Sequence, residues 1–244
     1  MPGASPRHGV NFLAAHDGFT LRDLVCYHDK HNEANGEDNR DGHNKNPSWN
    51  SGAEGETDDP AGVSARAQAR CARAAVHPLP LARLAAHAAR RTKWARTQEG
   101  NNNAYAQDND ITWLDWEAAD GAMVDFVAAI NAFRHAHPAI THDHFMSGQE
   151  RHGVRDVVWL HADGREMNEG DWNDSGASAL GMLLRYKDDT VLVWFNRRIE
   201  PVVAHLPEGE WSLGIVSDDL GEVSFSERTA VLPPRTVVAL VPAG

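Results

Sequence analysis

The sequence predicts an α/β part that ends near residue 138, followed by an antiparallel β-sandwich over residues 139–244. Three observations predict this division. A short apolar run at residues 10–15 opens into a polar loop, as a buried parallel strand does. Residues 120–136 have helical periodicity. From about residue 155 the chain changes to short β-like runs that are separated by Pro, Gly and Asp.

Length, charge and cysteine content narrow the class of protein. A chain of 244 residues can bury a sizeable core and has room for one or two domains. A net charge of −12 makes nucleic acid an unfavourable partner but does not oppose a neutral ligand. Two cysteines without metal or redox spacing predict a reducing, cytoplasmic compartment. The sequence contains no apolar run near the roughly 20 residues of a membrane span and no signal-peptide core. It predicts no metal and no cofactor.

The first predicted elements are a strand and a long loop. VNFLAA, from Val10 to Ala15, is bounded by polar residues and predicts the buried strand. Residues 28–60 predict a loop rich in Asn, Gly, Asp and Glu, and loops of this length are usually functional or disordered. The Asp58–Asp59 pair resembles an ion site, but no ligand spacing supports calcium.

The helix predicted over residues 120–136 has Met123, Val127, Ile130 and Phe133 at helical spacing. Its acidic start and basic end suit the helix macrodipole. The strands that follow are predicted at VVWL, LGMLLRY, TVLVWFN, PVVAHL and TVVALV, and the domain boundary is predicted at His137–Pro138.

Four sequence blocks together resemble one family. They are VNFLAAHDGFTLRDLVCYHDKHNEANGEDNRD at 10–41, GNNNAYAQDNDITWLDW at 100–116, FRHAHPAI at 133–140 and DVVWLHADGREMNEGDW at 156–172. They resemble, in the same order, the bacterial glycogen debranching enzymes of the isoamylase group, within the α-amylase superfamily of glycoside hydrolases. The resemblance implies hydrolysis of α-1,6 branch linkages in glycogen or limit dextrins. It also implies that residues 1–138 are the C-terminal portion of a (β/α)8 TIM barrel, with the seventh strand at 10–15 and the eighth helix at 120–136.

The resemblance also implies catalytic roles. Retaining glycosidases use two carboxylates about 5–5.5 Å apart, and this superfamily adds a third beside the scissile sugar. The third role falls on Asp17, which would stabilise the oxocarbenium-like transition state, and His16 would hydrogen-bond the same sugar. The nucleophile and the general acid are expected on strands that precede residue 1, so we expect the chain alone to be inactive. The alternative for His16 and Asp17 is a capping pair at a strand end.

Residues that would contact the glucan are expected in the loop after the eighth strand. The resemblance places there Asn101, Asn102, Asn103, Tyr105, Gln107 and Asp108, with Trp113, Asp115 and Trp116 lining the same cleft. Residues His31, Asn32, Glu33, Asn35, Glu37 and Asn39 would shape the branch-binding end. A loop stabilised by Asx turns is the alternative for the first group, and a solvated loop is the alternative for the second. The indole ring faces of the eight tryptophans can stack on sugars, although Trp is also common in cores.

The segment between Asp59 and Glu99 lacks acidic residues and the pattern of the eighth strand. Back-translation of residues 74–92 with GC-rich codons, read one base later, restores a sequence close to that family strand. We therefore predict a change of reading frame over residues about 70–94. The alternative is a genuine Arg/Ala-rich surface helix, against which Pro78 and Pro80 argue.

Two other functions remain open at this stage. The chain could be a non-catalytic glucan-binding fragment, which would retain affinity for glycogen without releasing reducing sugar. It could also belong to an isoamylase-type debrancher of starch or of a trehalose pathway, which preferred branch length would distinguish. Glycogen or another branched α-glucan is the expected partner, and the oligomeric state is not predicted.

Overall fold

The computed structural model describes residues 17–76, 95–151, 153–217 and 222–244. Residues 129–244 form one compact unit, and the described residues from 17 to 128 form another. The predicted strand at 10–15, His16 and most of the segment with the predicted change of frame lie outside the described residues. The boundary predicted at residues 137–138 stays a prediction.

The unit of residues 17–128 is built from short helices and long loops. Its helices are α1 (Asp23–Cys26), α2 (Pro60–Val76) and the first half of α3 (Gly121–Ala136), and 3-10 turns lie at Glu33–Asn35 and Ala104–Ala106. Leu21, Ala74 and Met123 pack together as one apolar cluster. Phe19, Leu24, Val25, Cys26 and Tyr27 form a second. No β-strand occurs among the described residues 17–76 and 95–128, so the barrel stays a prediction.

Helix α2 begins where the sequence suggested an ion-binding pair. The Asp59 carboxylate accepts a hydrogen bond from the backbone N–H of Gly62 (2.8 Å), and Pro60 is the first helical residue. Asp before Pro at a helix start is a common N-terminal signal, because Asp caps free N–H groups and Pro has none to satisfy. Asp59 is therefore a helix cap.

The predicted helix over residues 120–136 is confirmed as α3. The Asp120 carboxylate accepts from the backbone N–H of Met123 (3.0 Å), and Arg134 and His135 lie in the last turn. These are the charges that a helix dipole favours at each end.

The unit of residues 129–244 is an antiparallel β-sandwich, as predicted. Two short helices, α4 (Pro138–Thr141) and α5 (Glu169–Trp172), accompany its strands. The strands are β1 (Glu150–Arg151), β2 (Val154–Arg155), β3 (Val157–His161), β4 (Ala179–Tyr186), β5 (Asp189–Asn196), β6 (Val202–His205), β7 (Trp211–Val216), β8 (Ser224–Ser226), β9 (Thr229–Leu232) and β10 (Val237–Pro242). One sheet has the order β3-β4-β5-β10-β7 and the other the order β6-β9-β8, while β1 and β2 form a hairpin.

The sandwich core lies between these two sheets. Leu183, Leu192 and Leu240 of the larger sheet pack against Ala204 and Leu232 of the smaller one. Trp194 is fully buried in this core, and a Cβ on Gly181 would lie 2.8 Å from its ring. Gly181 is therefore the residue that leaves room for the indole. The short helix α4 contacts β4 and β5 of the larger sheet.

Among the described residues, the model contains no helix with both the length and the apolar character needed to cross a membrane.

Candidate functional site

Two loops interlock in the unit of residues 17–128, and six of their polar side chains form what we call the Asn network. One loop covers residues 28–54 and the other residues 95–109. The network consists of Asn32, Asn35, Asp41, Asn101, Asn102 and Asn103. It joins residues that lie about 60–70 positions apart in the chain, so the folded conformation of each loop depends on the other.

Asn102 is 1% exposed and uses its whole amide within the protein. Its Oδ1 accepts from Asn32 Nδ2 (2.9 Å), and its Nδ2 donates to the His43 carbonyl (2.8 Å) and to Asn46 Oδ1 (3.0 Å). Its backbone N–H donates to Asn32 Oδ1 (3.0 Å). Asn32 is fully buried, so this pair of amides forms the buried centre of the network.

Asn35 connects four partners at the outer part of the network. Its Oδ1 accepts from Asn101 Nδ2 (2.9 Å) and from Gln107 Nε2 (2.7 Å). Its Nδ2 donates to Asp41 Oδ2 (2.6 Å) and to the Asn103 carbonyl (3.0 Å). A carboxylate at this position could not make the two donated bonds.

Asp41 is the charged member of the network. Burial opposes its ionisation, but the hydrogen bonds from Asn35 and Asn103 outweigh that effect and lower the pKa of the carboxyl. Asp41 therefore stays ionised over the neutral range and accepts hydrogen bonds at Oδ2 from both amides.

Gly42 is the point where the network permits no side chain. A Cβ there would lie 2.2 Å from Asn102 Oδ1 and 2.6 Å from Asn32 Nδ2. The backbone also has a positive φ of 71°, which glycine adopts without strain.

Asp17 lies beside this network at the beginning of the described chain. It is exposed, and the next residue, Gly18, donates its backbone N–H to the Asn102 carbonyl (2.7 Å). The predicted catalytic carboxylate and the predicted sugar-binding loop are thus joined by one backbone hydrogen bond.

A buried carboxylate joins α1 to residues 97 and 98. Asp23 has no exposed surface and accepts hydrogen bonds from Thr97 Oγ1 (2.5 Å) and the Gln98 backbone N–H (2.8 Å). Burial raises the pKa of Asp23 to about 6, although the hydrogen bonds from Thr97 and Gln98 oppose the rise.

Glu54 joins the end of the 28–54 loop to its beginning. Its carboxylate accepts from the backbone N–H groups of His28 and Asp29 and from Asn50 Nδ2 (2.9 Å). Burial opposes its ionisation, but these hydrogen bonds and that of His31 lower the pKa of Glu54 to about 2. The two ends of the 28–54 loop are therefore held together by one carboxylate that accepts several hydrogen bonds.

Outside the Asn network, residues 105–116 present aromatic rings to solvent. Tyr105 is 72% exposed, Trp113 59% and Trp116 66%. The Trp113 indole N–H donates to Asp108 Oδ1 (2.9 Å), and the Tyr105 hydroxyl donates to Glu37 Oε1 (3.4 Å). The Asp115 carboxylate accepts from the backbone of Glu117 and Ala118, so it closes a turn.

The predicted sugar-binding residues thus fall into two groups. Tyr105, Asp108, Trp113 and Asp115 are exposed, whereas Asn101 and Asn102 are each 1% exposed and hydrogen-bonded within the protein. Asn103 and Gln107 are half-buried members of the same contacts. Direct sugar contact by any of them stays a prediction, and for Asn101 and Asn102 it would require the network to open.

Sequence reasoning missed the arginines of α2. Arg66 is 5% exposed and its Nη2 donates to the carbonyls of Asn50 and Ala53, while Arg73 donates to the Pro47 carbonyl (3.1 Å). Arg70 pairs with Asp120 (3.4 Å). The Arg-rich composition was the available signal, because arginine commonly binds free carbonyls at the ends of long loops. Within the described residues, no group of three or more His, Cys, Asp or Glu side chains is arranged to hold a metal ion.

Comparison with curated proteins finds relatives over nearly the whole chain. A glycogen operon protein GlgX homolog of Mycobacterium tuberculosis is 36% identical over an alignment of 265 residues. The alignment covers 98% of this chain and 36% of that protein. A glycogen debranching enzyme of Enterobacter sp. is 40% identical over 213 residues, which cover 86% of this chain and 30% of that enzyme. The chain therefore spans about a third of the length of the curated relatives it matches. No protein-family model matches it.

Solved structures with a similar fold include two pullulanases. The pullulanase of Anoxybacillus sp. LM18-11, solved with maltotetraose, superposes with a TM-score of 0.61 at 18% identity over 98% of this chain and 28% of that one. A pullulanase of Paenibacillus barengoltzii, solved with maltohexaose and α-cyclodextrin, gives 0.60 at 19% identity over 99% and 31%. At these identities the likeness concerns the fold alone.

Proposed function

Because the chain belongs to the family of bacterial glycogen debranching enzymes, we propose that it is the glucan-recognising C-terminal portion of an α-1,6-glucosidase that acts on branched α-glucan. In this proposal residues 1–138 complete a TIM barrel and residues 139–244 are the sandwich that follows it. The likeness to pullulanase structures over 98% of the chain supports this assignment.

The observation on which the proposal mainly rests is the bond between Gly18 and Asn102. It holds Asp17 next to a loop that presents Tyr105 and Trp113. A carboxylate beside exposed aromatic rings suits a cleft in which rings stack on sugars while a charge faces the bond to be cleaved. Asp17 is proposed as the residue that stabilises the positive charge of the transition state.

The Asn network is proposed as the support for this site. Its buried amides fix the positions of Asp17, Tyr105 and Gln107 without touching the sugar. Rigid placement matters because misplacement of catalytic and binding groups by about 1 Å can cost about a hundredfold in rate.

We expect the 244-residue chain to bind glucan without cleaving it. The retaining reaction needs a nucleophile and a general acid, and the family pattern assigns only Asp17 to these residues. Cytoplasmic location is part of the same proposal, and a content of only two cysteines, without metal or redox spacing, supports it.

Affinity electrophoresis in gels that contain glycogen tests the binding. The wild-type chain should be retarded by glycogen, and Trp113→Ala or Tyr105→Ala should each weaken that retardation by about tenfold in apparent Kd, because each loses a stacking surface. Trp49→Ala is the control. This tryptophan is also partly exposed, but it does not belong to the 105–116 segment that carries the proposed stacking rings.

The same samples should be assayed for reducing sugar released from glycogen. Retardation without sugar release agrees with the proposal. Absence of retardation would refute glucan recognition by this chain. Robust branch cleavage would refute the proposal that residues outside this chain supply the nucleophile and the general acid.

A further inference from the structure

Two tryptophans of the β-sandwich, one exposed and one half-buried, form what we call the aromatic corner. Trp159 is the central residue of β3, and Trp172 ends α5. Their ring centroids are 5.5 Å apart and their planes make an angle of 78°. Trp172 is 53% exposed, so more than half of its own surface remains open to solvent although it contacts Trp159.

The polar groups of this corner are available to a ligand. Among the described residues, neither the Trp159 nor the Trp172 indole N–H donates to a protein acceptor. The exposed amide of Asn173 donates to the Glu169 carbonyl (3.0 Å), which leaves its side-chain oxygen as an acceptor. Trp172 is mostly exposed and Trp159 is half-buried, and indole donors without a protein partner beside an exposed ring suit a surface that meets a polar ligand.

The corner is held in place before any ligand arrives. Asn168 caps α5 by accepting from the N–H groups of Gly170 and Asp171, and the Asp171 carboxylate accepts from the Asn168 N–H. Arg165 pairs with both oxygens of Asp171, and this hydrogen bond holds the pKa of Asp171 well below its usual range. The Met167 N–H donates to the Trp159 carbonyl (2.9 Å), which joins the segment to β3. A surface fixed in this way loses little conformational entropy when it binds.

We propose that Trp159 and Trp172, in the unit of residues 129–244, form a second glucan-binding site that takes a linear segment of α-1,4-linked glucose. The ligand class follows from the geometry: two faces nearly perpendicular to each other fit a chain that curves, as α-1,4-linked glucan does, better than the flat ribbon of a β-1,4-linked chain. The site is uncharged at its rings and lies in a chain of net charge −12, so a neutral sugar suits it better than an anion. The proposal rests on the proposed function for its ligand but not for its location.

Fluorine NMR of the full chain labelled with 5-fluorotryptophan tests the site. The signals are assigned by Trp172→Phe, Trp159→Phe and Trp113→Phe, and the labelled wild type is titrated with maltoheptaose and, separately, with cellohexaose. We expect the Trp172 and Trp159 signals to shift with maltoheptaose and not with cellohexaose. The fully buried Trp194 serves as an internal control that should not shift.

The outcomes separate this site from the proposed function. Shifts at Trp172 without shifts at Trp113 support the sandwich site and count against the proposed cleft. Shifts at Trp113 alone overturn the sandwich site and leave the cleft, and no shift at either overturns both. Trp172→Ala should weaken maltoheptaose binding, followed at Trp159, by about tenfold, with circular dichroism confirming that the variant is folded; unchanged affinity would overturn the proposal.

Discussion

Asp23 shows how a single side chain can tie stability to pH. Its carboxyl is fully buried and its pKa is raised to about 6, so the folded chain binds this proton more tightly than the unfolded chain. Its contribution to the free energy of unfolding is therefore largest in acid and is lost as the pH rises through about 6. Glu54 acts in the opposite sense: its pKa is lowered to about 2, so its contribution is present at neutral pH and is lost as the pH falls from about 4.5 toward 2.

We expect Asp23→Asn to change the pH dependence of stability. The stability advantage of the wild type over the variant should decrease by up to about 3 kcal/mol between about pH 4 and about pH 7, because only the wild type must bury a charge at the higher pH. Urea denaturation at a series of pH values measures it. Asp125→Asn, at an exposed position of α3, is the control and should show no such trend. A difference between wild type and Asp23→Asn that does not vary with pH would contradict the raised pKa.

At the scale of an element, the interlocked loops depend on close contact at Gly42. Gly42→Ala should destabilise the chain by about 1–3 kcal/mol more than Gly36→Ala. Both glycines have a positive φ, of 71° and 75°, so each variant suffers similar backbone strain. Only at Gly42 would the new Cβ meet Asn102 and Asn32, whereas nothing lies within 4 Å of a Cβ at Gly36.

Urea denaturation of the two variants gives this difference, and hydrogen exchange of residues 28–46 and 100–108 locates it. Faster exchange in both loops of Gly42→Ala, but not of Gly36→Ala, is the expected pattern. Equal effects in the two variants would show that backbone strain, and not the Asn network, dominates.

The sequence predicts the strands of the sandwich better than the loops of the site. Alternating or continuous apolar runs such as TVLVWFN identify β5 directly, because packing between sheets needs that pattern. Strands β7 and β8 were not predicted, since Trp211–Val216 includes Gly214 and Ser224–Ser226 is short and has no buried residue. Pairing of Asn32 with Asn102 joins residues 70 positions apart, and local pattern contains no information about that distance.

The same limit explains the two interpretations of α2. Low acidity and high Arg content suggested a segment out of frame, yet residues 70–76 complete a helix whose Ala74 is buried. Arg66, Arg70 and Arg73 each bind a partner in the folded unit. Because residues 77–94 lie outside the described chain, the change of reading frame stays a prediction that the gene sequence can test.

At the scale of the whole molecule, the net charge of the chain favours a neutral glucan over an anionic ligand such as nucleic acid. Binding of a neutral glucan to a chain of net charge −12 releases few counterions, so its affinity should depend little on salt. Raising NaCl from about 50 mM to about 500 mM should change the apparent Kd for glycogen by less than about twofold. A steep salt dependence, of the kind seen in binding to nucleic-acid phosphates, would contradict binding through stacking and uncharged hydrogen bonds.

Asn35 followed by Gly36 is a sequence pair that is prone to deamidation. In such a pair the glycine nitrogen can attack the asparagine side-chain carbonyl, expel ammonia and leave aspartate or isoaspartate after hydrolysis. In the folded chain the Gly36 nitrogen donates to the Glu33 carbonyl (3.1 Å) and the Asn35 amide is held by Asp41 and Asn103, so the attack is hindered. A molecule that deamidates while unfolded would acquire a carboxylate facing Asp41 and would lose the hydrogen bonds that Asn35 donates to Asp41 and to the Asn103 carbonyl. The longer the chain stays unfolded, the smaller the fraction of molecules that can form the complete Asn network.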